Sequence, residues 1–254
     1  MANFFQEKMA NGGVLLGSAR LQARGSIGGH RYVFVKMQRS GKDALVFPTV
    51  GGKLLNPFKG AAKIYAGDLI EYNPGIDADA GATVKILKTY EVAKAVTAAT
   101  DSDPATTVLI VRNGYRHIPF VGDVIMAAPS ALDGKGTAVK VVSVEKTSDS
   151  GVDVWKLTLS ATLGALSKGD VLVEGSEAGS SKAPMVTNPN CYAPCDYDFI
   201  YSPASSDDDF DGAEYMMTPC IANGDTYLYE NRMSPLPPTI KALNKSKISG
   251  WFNF

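Results

Sequence analysis

The stretch Phe120-Val121-Gly122-Asp123-Val124-Ile125-Met126 decides how the chain reads, because its pattern occurs three times. Gly67-Asp68-Leu69-Ile70 precedes it and Gly169-Asp170-Val171-Leu172 follows it. Each copy is a glycine, an aspartate and two aliphatic residues. Glycine reaches the positive φ of a tight turn without steric cost, and aspartate can bond the backbone two residues on. The aliphatic pair then begins a strand. Three turn-into-strand units predict an all-β chain with a small β-barrel or sandwich core. Such a unit supplies no chemistry of its own.

Working outward, the stretch from Val84 to Val92 partly alternates, as a half-buried strand does, whereas Thr107-Val108-Leu109-Ile110-Val111 is a continuous apolar run suited to a buried strand. Val139 to Val144 and Val154 to Leu159 flank the turn cluster Thr147-Ser148-Asp149-Ser150-Gly151, which makes them a hairpin. Upstream, Tyr32 to Met37 and Ala44 to Phe47 flank Gly41 in the same manner. Helix is hardly represented; residues 161–166 have room for one turn. The chain therefore divides into an irregular N-terminal arm (1–30), a β-barrel region of one or more domains (31–175) and an irregular C-terminal extension (176–254). The extension opens on linker-like Gly175-Ser176-Glu177-Ala178-Gly179-Ser180-Ser181 and is expected to pack on the barrel or on a neighbour.

Composition narrows the function classes. An apolar content of 45% with 20% charged residues suits a soluble globular protein with an ample core. A net charge of −1 gives no electrostatic case for a nucleic-acid or anionic-membrane partner. No apolar run approaches the roughly 20 residues of a membrane-spanning helix, and no signal-peptide pattern opens the chain, so synthesis in a cytoplasm is expected. Three cysteines, Cys191, Cys195 and Cys220, cannot all pair, which fits a reducing compartment.

Candidate chemistry is thin. Of the two histidines, His30 and His117, neither lies near a Gly-x-Ser-x-Gly elbow or a cysteine nucleophile, so no catalytic residue and no organic cofactor are expected. Cys191 and Cys195 have C-x₃-C spacing with Cys220 beyond, a set open to zinc or to free structural thiols. Asp207, Asp209 and Asp211 fall at alternate positions before Gly212, the first half of a calcium loop. Thr218 stands where an EF-hand needs a bidentate glutamate, so a solvated acidic loop is the competing reading. Both ends carry apolar residues with too little around them to form a core: Phe4, Phe5, Val14, Leu15 and Leu16 in the arm, and Trp251, Phe252 and Phe254 in the tail. Phe4, Phe5, Leu15, Leu16, Trp251, Phe252 and Phe254 are the candidate partner-binding residues, since burying one such aromatic contributes about 2–3 kcal/mol by area.

The succession Gly67-Asp68-Leu69-Ile70, Ile86-Leu87-Lys88-Thr89-Tyr90-Glu91-Val92, Val108-Leu109-Ile110-Val111, Gly122-Asp123-Val124-Ile125 and Gly169-Asp170-Val171-Leu172 resembles the capsid auxiliary (decoration) and head-fibre proteins of tailed bacteriophages. It is most similar to those of phages infecting gut Bacteroidetes, crAss-like ones included, over residues 60–175. The resemblance implies a small β-barrel on the outside of a capsid, in trimers or other homo-oligomers, with the major capsid protein and other head proteins as partners. A second class stays open beside this structural virion protein. A β-sandwich with exposed Trp155, Tyr115, Tyr192 and Tyr197 would serve as a host-surface or carbohydrate-binding module. The acidic loop makes a test of its own. If it holds calcium, adding the ion raises the melting temperature and Asp209→Asn removes that rise; an unresponsive wild-type protein leaves the loop as solvated surface.

Overall fold

The computed structural model describes residues 22–24, 33–35, 49, 51–75, 82–100, 104–114, 116–194, 196–199, 216–222, 226–230, 233–246 and 250–252. Strands β1 (Gln22–Arg24) and β2 (Val33–Val35) come first. Next are β3 (Gly52–Leu54), β4 (Ala62–Ile64), β5 (Leu69–Asn73) and β6 (Thr83–Ile86). The middle holds β7 (Thr89–Glu91), β8 (Thr107–Val111), β9 (Val124–Ala127) and the long β10 (Gly136–Asp149). It continues through β11 (Val152–Leu159), β12 (Val171–Glu174) and β13 (Gly179–Lys182). Short strands β14 (Cys191–Tyr192), β15 (Tyr197–Phe199), β16 (Met216–Met217) and β17 (Cys220–Ile221) follow. The chain then runs through β18 (Thr226–Tyr229), helix α1 (Pro238–Lys245) and β19 (Gly250–Phe252). The fold is all-β, in several packed sheets.

The seven-stranded sheet runs β7-β12-β9-β10-β11-β8, with β13 on β10. It curls around a core of Tyr90, Val108, Ile110, Ile125, Val141, Leu157 and Leu172. The ladder does not close; its two outer strands meet at the single bridge Val92–Ile110, where Ala93 N–H donates to Leu109 O at 2.8 Å. The six-stranded sheet, β16-β3-β6-β5-β14-β17, is buried on both faces where β5 meets β14. Because successive strand residues point to opposite sides, Ile70 and Cys191 join one core while Leu69 and Tyr192 join another. The first core also holds Phe58, Ile64 and Phe199, the last two from the β4–β15 pair. The second takes in Leu228 of β18 and Ile240 of α1. β18 lies in a four-stranded sheet of order β1-β2-β18-β19.

All three Gly-Asp units sit at turns entering strands, and their hydrogen bonding is the same. The aspartate N–H donates to the carbonyl three residues back, and the carboxylate accepts from that residue's N–H. The pairs are Asp68 with Tyr65 (2.9 and 2.6 Å), Asp123 with Phe120 (3.1 and 2.8 Å) and Asp170 with Ser167 (3.1 and 2.7 Å). The glycines have φ of +91°, +85° and +90°, the left-handed value a type II turn needs at its third position. Each turn is then clamped sideways. Glycine N–H and aspartate C=O bracket one residue of a neighbouring segment: Ala193, Val141 and Val92 respectively, at 2.8–2.9 Å. The aspartates thus cap the backbone behind them rather than two residues ahead, because the glycine bend swings the turn's first N–H toward the carboxylate.

Other local expectations change under tertiary packing. The stretch from Val84 to Val92 is not one strand: β6 belongs to the six-stranded sheet, β7 to the seven-stranded one, and Leu87-Lys88 crosses between them. Val108 and Ile110 are buried while Thr107 is exposed and Leu109 and Val111 are intermediate, so β8 is a one-faced strand. The predicted β10–β11 hairpin forms, with Ser150 and Gly151 both at positive φ in its turn. The linker-like segment contributes β13, and residues beyond 176 supply β14, β16 and β17 to the six-stranded sheet. Of residues 1–30, Gln22–Arg24 forms β1; the Gly41 hairpin connection lies outside the described residues. Instead of a turn at 161–166, the helix among the described residues is α1, led by Pro237-Pro238, where a fixed φ near −65° suits the first helical position.

Asp123 is 1% exposed, whereas Asp170 lies at the surface. Asp123→Ala leaves a buried turn unsatisfied and is expected to cost about 2–3 kcal/mol; Asp170→Ala, with water to replace the carboxylate, about 0.5–1 kcal/mol. Urea unfolding of the two variants measures this, and equal losses would show that the side-chain bond matters little beside the clamp.

Candidate functional site

The chemistry-bearing side chains gather where the chain crosses between the two large sheets. Ile86, Leu87 and Tyr90 belong to three different cores, so this short segment touches all of them. Four consecutive residues in it each take a polar partner from elsewhere. Lys88, 1% exposed, donates to Glu174 Oε1 and to Pro57 O, both at 3.0 Å. Thr89 N–H donates to His117 Nδ1 at 3.1 Å. Tyr90 OH donates to Asp123 Oδ2 at 3.5 Å, and Arg116 donates to Glu91 Oε2 at 2.5 Å.

Phe58 is the apolar hub of this seam. Its ring lies 5.9 Å from the His117 ring, 6.3 Å from Phe120 and 5.7 Å from Phe199, with the Lys88 ammonium 4.8 Å from its centroid. Asn56 is held on both edges of its amide by one residue, accepting from Ile86 N–H and donating to Ile86 O at 2.8 Å each. The same amide donates to Glu174 Oε2 at 2.6 Å. Both Glu174 oxygens are thereby occupied. Burial pushes the Glu174 carboxyl above the ordinary carboxylate range, against the pull of Lys88 and Asn56. Burial first, then the Asp123 and Glu174 charges, pushes the Tyr90 hydroxyl well above its usual value.

His117, the only histidine among the described residues, is 2% exposed. The Thr89 bond occupies Nδ1 as acceptor, so the neutral ring carries its proton on Nε2, 3.3 Å from Asp68 Oδ2. That contact has the distance of an ion pair without the alignment of a hydrogen bond. Asp68 and Asp123 thus extend two of the turns into the seam, with Lys59 3.6 Å from Asp123 Oδ1 at its outer edge. Asp170 stands apart at the surface.

Several sequence-derived candidates are separated by the fold. Cys191 pairs in register with Ile221 and Tyr192 with Cys220, which puts the two thiols on opposite faces of one sheet. Burial, then Cys220, pushes the Cys191 thiol up to about 12. No group of three or more histidine, cysteine or acidic residues is placed to hold a metal among the described residues. Tyr192 is fully buried, Tyr197 is half-buried on β15, and Trp155 is half-buried with Arg112 and Lys146 at 5.7 and 5.4 Å from its ring. Trp251 and Phe252 lie on β19, the edge strand paired parallel to β18. Asp207, Asp209, Asp211, Phe4, Phe5, Leu15, Leu16, Phe254, Cys195, His30 and Tyr115 lie outside the described residues.

Sequence reasoning missed Lys88, Asn56 and Glu174. A signal existed: Lys88 shares strand parity with Ile86 and Tyr90, which puts a lysine on the apolar side. No protein-family model, curated protein or solved structure matches the chain.

Removing one partner of a buried pair leaves the other charge uncompensated, at about 3–5 kcal/mol. Glu174 already titrates higher folded than unfolded, so its contribution is fully present at low pH and is lost as pH rises through the folded value. Lys88→Met withdraws the opposing ammonium and raises that value further. Its destabilisation is therefore expected to be larger at pH 7 than at pH 5 in urea unfolding; equal losses at both would mean that only shape was removed.

Proposed function

We propose that the protein is a structural component of a tailed-phage virion that decorates or stabilises the capsid exterior or anchors head fibres, without catalysis. The observation that carries this reading is the sequence resemblance over residues 60–175, which spans most of the seven-stranded sheet and all three Gly-Asp turns. The geometry supports it in one respect. Asp68, Lys88, His117 and Asp123, the buried charged and histidine side chains among the described residues, are committed to holding two sheets together. A rigid, internally cross-braced body suits a part whose task is to occupy a fixed place on a shell. Its partners on this reading are the major capsid protein, other head proteins and further copies of itself, and its place is the capsid surface after synthesis in the host cytoplasm.

Contacts with the shell would be made outside the braced core. The β10–β11 hairpin leaves Val142 54% and Val152 50% exposed, and by sequence the aromatic and aliphatic residues of the two ends are the other candidates. The carbohydrate-binding reading has less support, because Tyr192 is enclosed and the Trp155 ring already has two cations beside it.

Purified particles of the phage that encodes this chain are expected to contain it in stoichiometric copy number. Deleting residues 1–12 is expected to leave the β core folded by circular dichroism while abolishing incorporation. Normal incorporation of that deletion and of one lacking residues 249–254 would rule out the ends as the assembly elements. Scarcity in particles together with binding to host glycans would favour the alternative.

A further inference from the structure

We propose that Lys88 and Asn56 join through an intramolecular amide bond between their side chains, with Glu174 as the proton-transfer residue. The three groups are arranged as nucleophile, electrophile and shared acid–base. Lys88 Nζ and Asn56 Nδ2 hydrogen-bond to the two oxygens of one carboxylate, at 3.0 Å to Oε1 and 2.6 Å to Oε2. That places the amine beside the carboxamide it would attack. The Asn56 carbonyl is polarised from its other side, where Ile86 N–H donates to Oδ1 at 2.8 Å. A fixed backbone donor there is positioned to hold the negative charge that develops on Oδ1 in a tetrahedral intermediate.

The surroundings favour the reaction. Asn56 is 4% exposed and Lys88 1%, with the Phe58 ring against the ammonium, so water that would solvate the ion pair or reverse the reaction is kept away. Burial also raises the Glu174 carboxyl, which favours the acid form in which it can hand a proton to Nδ2. Bidentate clamping of Asn56 by Ile86 fixes its amide plane before the reaction, so little orientational entropy remains to be lost.

The step balances without any co-reactant. Glu174 takes one proton from the Lys88 ammonium, and the freed lone pair on Nζ forms a bond to Asn56 Cγ while the carbonyl π pair moves onto Oδ1. Glu174 returns its proton to Nδ2. As the carbonyl re-forms, the Cγ–Nδ2 bond breaks and ammonia leaves, while the carboxylate accepts the surplus proton from the new amide nitrogen. The net change is one amide formed, one ammonia released and one ammonium proton left on Glu174. The bond would tie the segment after β3 to the crossing between the two large sheets.

Mass spectrometry of the purified full-length chain tests this independently of the virion reading. After incubation in the folded state, the denatured wild-type protein is expected to weigh less than its sequence by one ammonia. Proteolysis should yield a branched peptide joining the Asn56 and Lys88 segments. Glu174→Gln, which keeps the shape and loses the proton transfer, is expected to retain its full mass. Recovery of Asn56 and Lys88 in separate linear peptides from the wild type overturns the proposal, as does an ammonia loss that maps to other residues. Because the deciding measurement is on the wild type, it stands even if the variant folds poorly. A Glu174→Gln chain that cross-links at the wild-type rate overturns the role given to Glu174.

Discussion

A carboxylate that accepts from the backbone N–H three residues behind it sets the angle at which three strands of this protein enter their sheets. The bond is local, but its effect is not. Once the aspartate has fixed the turn, the glycine N–H and the aspartate carbonyl point sideways and clamp a single residue of a neighbouring segment. Val141 and Val92 are clamped in this way within the seven-stranded sheet, and Ala193 beside the six-stranded one. Strand direction, neighbour and register are therefore specified together at each turn. This reuse explains how one short pattern can serve two sheets with different cores.

Two of the three turns face inward, and there the same carboxylates meet a second constraint. The chain must pass from one sheet to the other between Ile86 and Thr89, and a crossing takes backbone and side-chain polar groups away from the regular ladders. Buried polar groups are costly unless bonded. Lys88 meets Glu174 and Pro57, Thr89 meets His117, Tyr90 meets Asp123, and Asn56 covers both backbone groups of Ile86. Directional bonds of this kind tolerate little sliding, so the seam ties the relative placement of the sheets to a few heavy-atom distances. Apolar packing around Phe58 alone would fix that placement less sharply.

The crossing also concentrates polar chemistry in a small volume. A histidine beside an aspartate, a lysine beside a glutamate and a raised carboxyl are features sought in catalytic clefts. Here they are enclosed by three hydrophobic cores and turned toward each other. Lys88, Glu174 and Asn56 differ from the rest in presenting a nucleophile, a proton carrier and a carbonyl carbon to one another, which is why that trio carries a chemical proposal and the His117–Asp68 contact does not.

How much of this was legible in the chain follows from the range of each interaction. The all-β class, the three turns and the β10–β11 hairpin are written in residues adjacent in sequence: glycine for positive φ, aspartate for the turn, alternation for the strands. The return of residues beyond 176 to complete the six-stranded sheet leaves no local mark, because Cys191-Tyr192 and Cys220-Ile221 are too short to show a period. Nor does the break between β6 and β7, where propensity favours one continuous strand and only the demands of two sheets divide it. Lys88 could be placed on an apolar side by parity, yet its partners Glu174, Pro57 and Phe58 come from distant parts of the chain. Short-range backbone chemistry was thus decided by the sequence alone; the pairing of buried charges was decided by the tertiary structure, because desolvation acts on whatever the finished fold brings within a few ångströms.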